Sequence, residues 1–182
     1  MKLDNDDVPV IANLFKEALD EDVLSVDLNR DMGGLYVVET EDGKRYFVGD
    51  LDVARNAANV EAAAIFEDAW YGEHLLRWFD DTDNHGLDER GVFDLLRDLY
   101  DPEYEMKELD DLEYIYQFEE ETGLNLVDMM DYGLNADSIR PYINYYEVGE
   151  YLVDCDGIEN FLASYDGREI YLGNDYFAYR FE

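Results

Sequence analysis

The sequence predicts an α+β fold, with two small antiparallel β-meanders at the chain ends and a mainly helical middle. Three observations lead there. Alternating apolar residues flank Gly-Gly and Asp-Gly turns between residues 23 and 48. An alanine-rich run free of proline begins at Ala54, and aromatic strand-like segments return after residue 160. With no Pro-, Gly- or Ser-rich linker, residues 1–182 read as one elongated acidic unit, with subdomain limits at 1–52, 53–135 and 136–182.

The elements follow in order. Asp6 or Asp7 as N-cap, Pro9 in the first turn and the set Val10, Ile11, Leu14, Phe15, Ala18 and Leu19 predict a helix over residues 8–20. Strands are expected at Val23–Leu28, Leu35–Thr40 and Lys44–Val48, turned by Gly33-Gly34 and Asp42-Gly43. Ala54–Phe79 reads as a long helix broken near Tyr71-Gly72, and shorter helices are expected at 88–100, 105–122, 125–132 and 141–153. Gly123 and Gly133 are placed to stop two of them. Phe161–Tyr165, Arg168–Leu172 and Tyr176–Phe181 complete the second meander. Residues 40–49 and 164–173 align without gaps around an Asp-Gly pair, which either a duplicated module or the common hairpin signal explains.

Charge narrows the function classes. The chain has 47 acids against 13 lysines and arginines, a formal net charge of −34. A field of that sign repels nucleic acid, phosphate-rich substrates and anionic membranes, so direct binding to any of them is not expected. The 47% hydrophobic and 15% aromatic content separates the chain from acidic disordered tails. The first residues lack the basic and apolar regions of a secretory signal, and a lone Cys155 has no intrachain disulfide partner, so an intracellular, cytoplasmic location is expected.

The motifs argue against catalysis. Asp81–Val92 resembles a calcium loop through Asp81, Asp83, Gly86 and Glu89, but Val92 stands where a bidentate Glu belongs and His85 is a poor ligand for a hard cation. A polar interhelical loop explains the same residues. Asp42-Gly43-Lys44 has the D-x-K spacing of a metal-dependent nuclease, yet a hairpin turn accounts for it and the net charge would repel the substrate. His74, His85 and Cys155 do not make a structural zinc site, and no P-loop, G-x-G-x-x-G or G-x-S-x-G is present. Cys155 sits between Asp154 and Asp156, which disfavour a thiolate. No enzyme activity, cofactor or metal is expected.

The acids are distributed along the whole chain and peak in residues 98–121, where eleven acids accompany only Lys107. Apolar residues recur every three positions from Met106, predicting a packed helix with a carboxylate face. The candidate partner-binding surface is therefore Asp98, Asp101, Glu103, Glu105, Glu108, Asp110, Asp111, Glu113, Glu119, Glu120 and Glu121. Duplex DNA carries about one charge per 1.7 Å, so a folded carboxylate array of this size can compete for a basic cleft built for phosphates. The sixteen tyrosines suit an interface, although packing explains any one of them.

Glu120-Glu121-Thr122-Gly123, followed by Tyr142-Ile143-Asn144-Tyr145, Gly149 and Leu152, resembles the C-terminal part of the ArdA antirestriction proteins, with Asn144 where that family often carries Asp. The resemblance implies an acidic, elongated homodimer that imitates bent DNA to block type I restriction-modification enzymes. The wider class of acidic anti-defence proteins includes anti-CRISPR proteins that occupy the DNA-reading surface of an RNA-guided effector. The expected function is a non-enzymatic DNA mimic of phage or mobile-element type, and the expected partner is the basic DNA-binding cleft of a host defence nuclease. Two other readings stay open: a salt-adapted halophile protein, suited by an excess of Asp over Glu and few lysines, and an acidic partner of another basic protein.

Overall fold

The structure, a computed structural model, describes residues 7–100 and 114–182. They are organised as two compact units, one formed by the chain up to Ala64 together with Gly149–Glu182, the other by Ile65–Val148.

The first unit is built on a five-stranded antiparallel sheet. Helix α1 (Asp7–Leu19) leads into strands β1 (Val23–Asn29), β2 (Leu35–Thr40) and β3 (Arg45–Asp50); after the second unit the chain returns to strands β4 (Glu169–Gly173) and β5 (Tyr176–Arg180). The strand order is β1-β2-β3-β5-β4. The α+β class and the strands at both chain ends therefore hold. The two ends meet in one sheet, because β3 pairs antiparallel with β5 from Tyr46↔Arg180 to Asp50↔Tyr176. Beside that pairing, the rings of Phe47 and Phe181 stack with centroids 4.1 Å apart.

Helices cover both faces of the sheet. On one face, Ile11, Leu14 and Phe15 of α1, spaced to share a helix side, pack on Val38, Tyr46, Val48, Leu172 and Ala178. The opposite face, with Leu35 and Tyr179, meets Ala54, Ala57, Ala58 and Ala62 of α2 (Leu51–Ala69), Val153 of α7 (Tyr145–Asp156), and Ile158 and Leu162 of α8 (Ile158–Leu162). The expected strand at Phe161–Tyr165 is a correction: Phe161 and Leu162 belong to α8. Ile158 and Leu162 lie four residues apart and are buried together, so the helical period satisfies the apolar pattern and no strand is needed. The aligned segments 40–49 and 164–173 share a turn followed by a strand, but the first turn links β2 to β3 while the second links α8 to β4.

The turns follow the chemistry of their residues. Thr40, fully buried, donates its hydroxyl to Asp42 Oδ1 at 2.7 Å and accepts the Lys44 N–H at 3.2 Å, closing the turn through Gly43 at φ +82°. Lys44 is held between Glu21 and Asp42. The D-x-K spacing is thus a stapled hairpin turn.

The second unit is helical. It contains the C-terminal end of α2, helices α3 (Gly72–Asp81), α4 (Glu89–Tyr100), α5 (Tyr114–Thr122) and α6 (Ala136–Ile139), 3-10 turns at Asp128–Tyr132 and Arg140–Tyr142, and the start of α7. The expected break near Tyr71-Gly72 falls between α2 and α3. The expected helix at 125–132 is a 3-10 turn over Asp128–Tyr132, and that at 141–153 begins only at Tyr145, after the 3-10 turn containing Pro141. Aromatic contacts dominate the interior: Phe66 meets Trp78 at 4.6 Å and Phe79 at 6.1 Å, while Phe93 and Phe118 meet edge to face at 6.3 Å. No helix among the described residues is long and apolar enough to cross a membrane.

Within the first unit, α7 crosses α2 at close range. A Cβ added at Gly149 would overlap the Asn59 carbonyl and sit 3.2 Å from Ala63 Cβ, so only glycine permits this approach. Replacing Gly149 with Ala should lower stability by about 1–3 kcal/mol through overpacking. Gly167→Ala is the reference: nothing lies within 4 Å of its added Cβ, and only its left-handed φ of +63° opposes the change, at roughly 1 kcal/mol. Urea unfolding of the two variants measures the difference, and a Gly149→Ala variant as stable as wild type would refute the close crossing.

Candidate acidic interface

Helix α5 shows how apolar anchoring sets out charge. Tyr114, Ile115 and Phe118 are buried, at a spacing that puts them on one side. Thr122 donates its hydroxyl to the Phe118 carbonyl at 2.6 Å, and the Gly123 N–H donates to the Glu119 carbonyl at 2.7 Å with φ +73°. This is the stop expected of Gly123. The termination leaves Glu119, Glu120 and Glu121 in the last turn, with no basic residue there. Carboxylates at a helix C-terminus face the negative end of the helix dipole, a placement that opposes helix stability.

Of the candidate surface residues, Asp98, Glu119, Glu120 and Glu121 are described. Asp98 is exposed near the end of α4, where Arg97 bridges it to Asp94 at 3.2 and 3.1 Å. Glu120 and Glu121 are exposed, and Gln117 donates to Glu121 at 2.8 Å. Glu119 departs from the outward position expected for it, being only partly exposed. Asp101, Glu103, Glu105, Glu108, Asp110, Asp111 and Glu113, with the first half of the helix expected at 105–122, lie outside the described residues. Tyr100 and Tyr114, which flank that segment in sequence, are anchored nearby, Tyr100 edge-on to Phe118 at 5.7 Å and Tyr114 against Phe93 at 5.8 Å.

The neighbourhood of Glu119 contains a group that sequence reading did not single out. Both oxygens of Asp80, at the end of α3, accept backbone N–H bonds from Leu126 at 3.0 Å and Val127 at 3.2 Å. Burial nevertheless raises the Asp80 pKa, against those two bonds and with help from the charges of Asp128 and Asp81. Glu119 is raised too, first by burial and then by repulsion from Asp80, Asp83 and Asp128. Asn125 and Asp128 cap each other, each side chain accepting the other's backbone N–H, at 3.2 and 2.9 Å. The link from Asp80 to residues 46 and 47 positions away had no local signal.

The calcium-like loop has another use. Asp88 caps α4 by accepting the Gly91 N–H at 3.2 Å, and its own N–H donates to the Tyr142 carbonyl at 2.8 Å. Asn144 N–H donates to Gly86 O at 2.7 Å, and Leu87 bridges Ile143 antiparallel. Asp81 and Asp83 are exposed, Glu89 opens α4, and no group of three or more potential ligands is placed to hold a metal ion among the described residues.

The cations are drawn into local pairs. Lys16, Lys44, Arg45, Arg55, Arg77, Arg97 and Arg140 each form a salt bridge with at least one carboxylate. Comparison of the chain with protein-family models, curated proteins and solved structures found no match in any of the three.

The raised Glu119 pKa has a signed consequence. A carboxyl that holds its proton more tightly when folded opposes folding above its folded pKa, and that penalty disappears as pH falls below the ordinary value of 4.5. Glu119→Gln should therefore raise the unfolding temperature at pH 7 and leave it unchanged near pH 4. Asp80→Asn should not stabilise, since it weakens the acceptor for two backbone N–H groups. Thermal unfolding of both variants across pH 4–8 separates the two; a Glu119→Gln gain that persists at the acid end would contradict the electrostatic origin.

Proposed function

We propose that this protein is a non-enzymatic mimic of nucleic acid that inhibits a phage-defence nuclease by occupying its basic DNA-binding cleft. The target class is a CRISPR RNA-guided effector or a type I restriction-modification enzyme, and the setting is the cytoplasm of a bacterial host. One observation carries the reading. The chain's net charge of −34 accompanies an aromatic-cored fold in which, among the described residues, seven cations already pair with carboxylates, and the net charge keeps the external field negative. The glutamates closing α5 add weight, because their position opposes helix stability and a partner-facing role gives that cost a use. Such an array meets arginine- and lysine-lined clefts with steered, salt-sensitive association.

Gel-shift assays test this directly. Duplex DNA should not be retarded by the protein alone, while a nuclease's own shift should disappear when the protein is added. Neutralising Asp98, Glu120 and Glu121 together to amides should weaken inhibition and flatten its salt dependence more than neutralising Glu17, Asp31 and Glu41, which are exposed in the first unit. Retarded duplex without a partner, or equal losses in both triple variants, would defeat the proposed mode and surface respectively.

A further inference from the structure

A row of aromatic rings runs from the core of the second unit to its surface. Phe93 and Phe118, both buried, meet edge to face; Tyr100 packs edge-on to Phe118 at 5.7 Å, and Tyr132 packs on Tyr100 with ring centroids 5.4 Å apart. Exposure rises along the row, to 37% at Tyr100 and 44% at Tyr132. The backbone of Tyr132 is fixed as well. It closes the 3-10 turn Asp128–Tyr132, where the Gly133 N–H donates to the Met130 carbonyl at 3.0 Å and the Leu134 N–H donates to the Met129 carbonyl at 3.1 Å, with Met129 and Leu134 both buried. A ring held by its neighbour and by its own backbone loses little freedom when another group stacks on it.

The charge along this part of the chain has one sign. Asp131 precedes Tyr132, Asp128 lies one 3-10 turn earlier, and both are exposed; from residue 108 to residue 139 the chain has no lysine, arginine or histidine. In the first unit, rings near the surface have arginines of their own: Arg180 lies 3.7 Å over Tyr165, and Arg45 lies 4.9 Å over Phe181. Among the described residues no such cation lies over Tyr100 or Tyr132. We propose that Tyr132, backed by Tyr100, is a stacking platform for an arginine side chain of the partner's cleft. This role rests on the inhibitory function proposed above and narrows its target to clefts that present arginine at this contact. The chemistry selects arginine twice. A guanidinium is planar and weakly hydrated, so it stacks on a ring while its edge N–H groups remain for carboxylates, whereas an ammonium keeps its water and gains less from the ring. An apolar occupant would instead strip water from Asp128 and Asp131 and give them no partner. At 5.4 Å between centroids the two rings leave no gap for a cation, so the guanidinium lies over the solvent-facing surface of Tyr132.

Fluorescence anisotropy of labelled hexa-arginine and hexa-lysine peptides, titrated with the full chain at low salt, tests the platform. Bidentate pairing with carboxylates favours arginine at any acidic surface, so the informative quantity is how far a substitution changes the preference for arginine over lysine. Tyr132→Leu should weaken hexa-arginine binding about two- to thirtyfold and hexa-lysine binding by less than about twofold, with native circular dichroism. Tyr132→Phe keeps the ring and should bind as wild type does. Tyr165→Leu removes a ring already covered by Arg180 and should leave both affinities unchanged. Equal losses for the two peptides with Tyr132→Leu, no loss for either, or a Tyr132→Phe variant as weak as Tyr132→Leu would each overturn the platform. The nuclease gel shift is read separately. Inhibition without a Tyr132-dependent arginine preference would overturn the platform alone, whereas that preference without inhibition would overturn the nuclease reading and leave an arginine-binding surface.

Discussion

Electrostatic self-repulsion is the constraint on which the rest of the structure depends. Forty-seven acids against thirteen bases must be brought into two small compact units, and nothing in the field of the surface favours doing so. The opposing term is apolar burial, and the fold supplies it through large rings: Phe15, Phe66, Phe79, Phe93, Phe118 and Tyr179 are among the largest fully buried side chains. Burial of this kind is indifferent to pH and largely to salt, which lets the surface vary its charge without control over the core. The few cations act locally. Lys44 ties Glu21 to the β2–β3 turn and Arg55 ties α2 to Asp154, so each relieves repulsion where two elements meet.

The same constraint explains where carboxylates are tolerated at a loss. Asp80 is half-buried because it is useful there, its two oxygens holding the backbone that enters the 3-10 turn at Asp128. Among the described residues Glu119 has no comparable bond in its favour, and burial and its acidic neighbours act in the same direction. Tyr179 is a contrasting case. Burial and the Glu169 carboxylate raise its pKa, so the phenol stays neutral and donates at 2.7 Å, converting a charged neighbour into a hydrogen-bond acceptor. Tyrosine can therefore coexist with dense acids where lysine is scarce, which gives the sixteen tyrosines a structural role beside any interfacial one.

Local signals made much of the fold legible. Leu35–Thr40 is a strand over the residues its alternation predicts, the helices near 8–20 and 88–100 fall within a residue or so of their bounds, and Gly72 breaks the long alanine-rich run as expected. What sequence could not give depends on distance along the chain. The pairing of β3 with β5 joins residues more than 120 positions apart, and Asp80 reaches Leu126 across 46. Alternation also misleads when a helix is short: Ile158 to Leu162 fits one helical turn, and its aromatic neighbour Phe161 imitates a strand. For the candidate interface, sequence located the charge but not which carboxylates stand in solvent, as the inward shift of Glu119 shows.

A carboxylate array on a folded scaffold differs from a phosphate backbone in a way that favours inhibition. Phosphates repeat evenly along a polymer that must bend to fit a cleft, and bending a duplex costs free energy that grows with the angle. Carboxylates fixed to packed helices have met that cost during folding, in the repulsion already borne by the native state. What remains on binding is the gain from placing each exposed acid against a cation, together with released counterions from both surfaces. The destabilising glutamates at the end of α5 fit this division: the fold carries their repulsion when alone, and a basic partner would convert the same repulsion into affinity by relieving it.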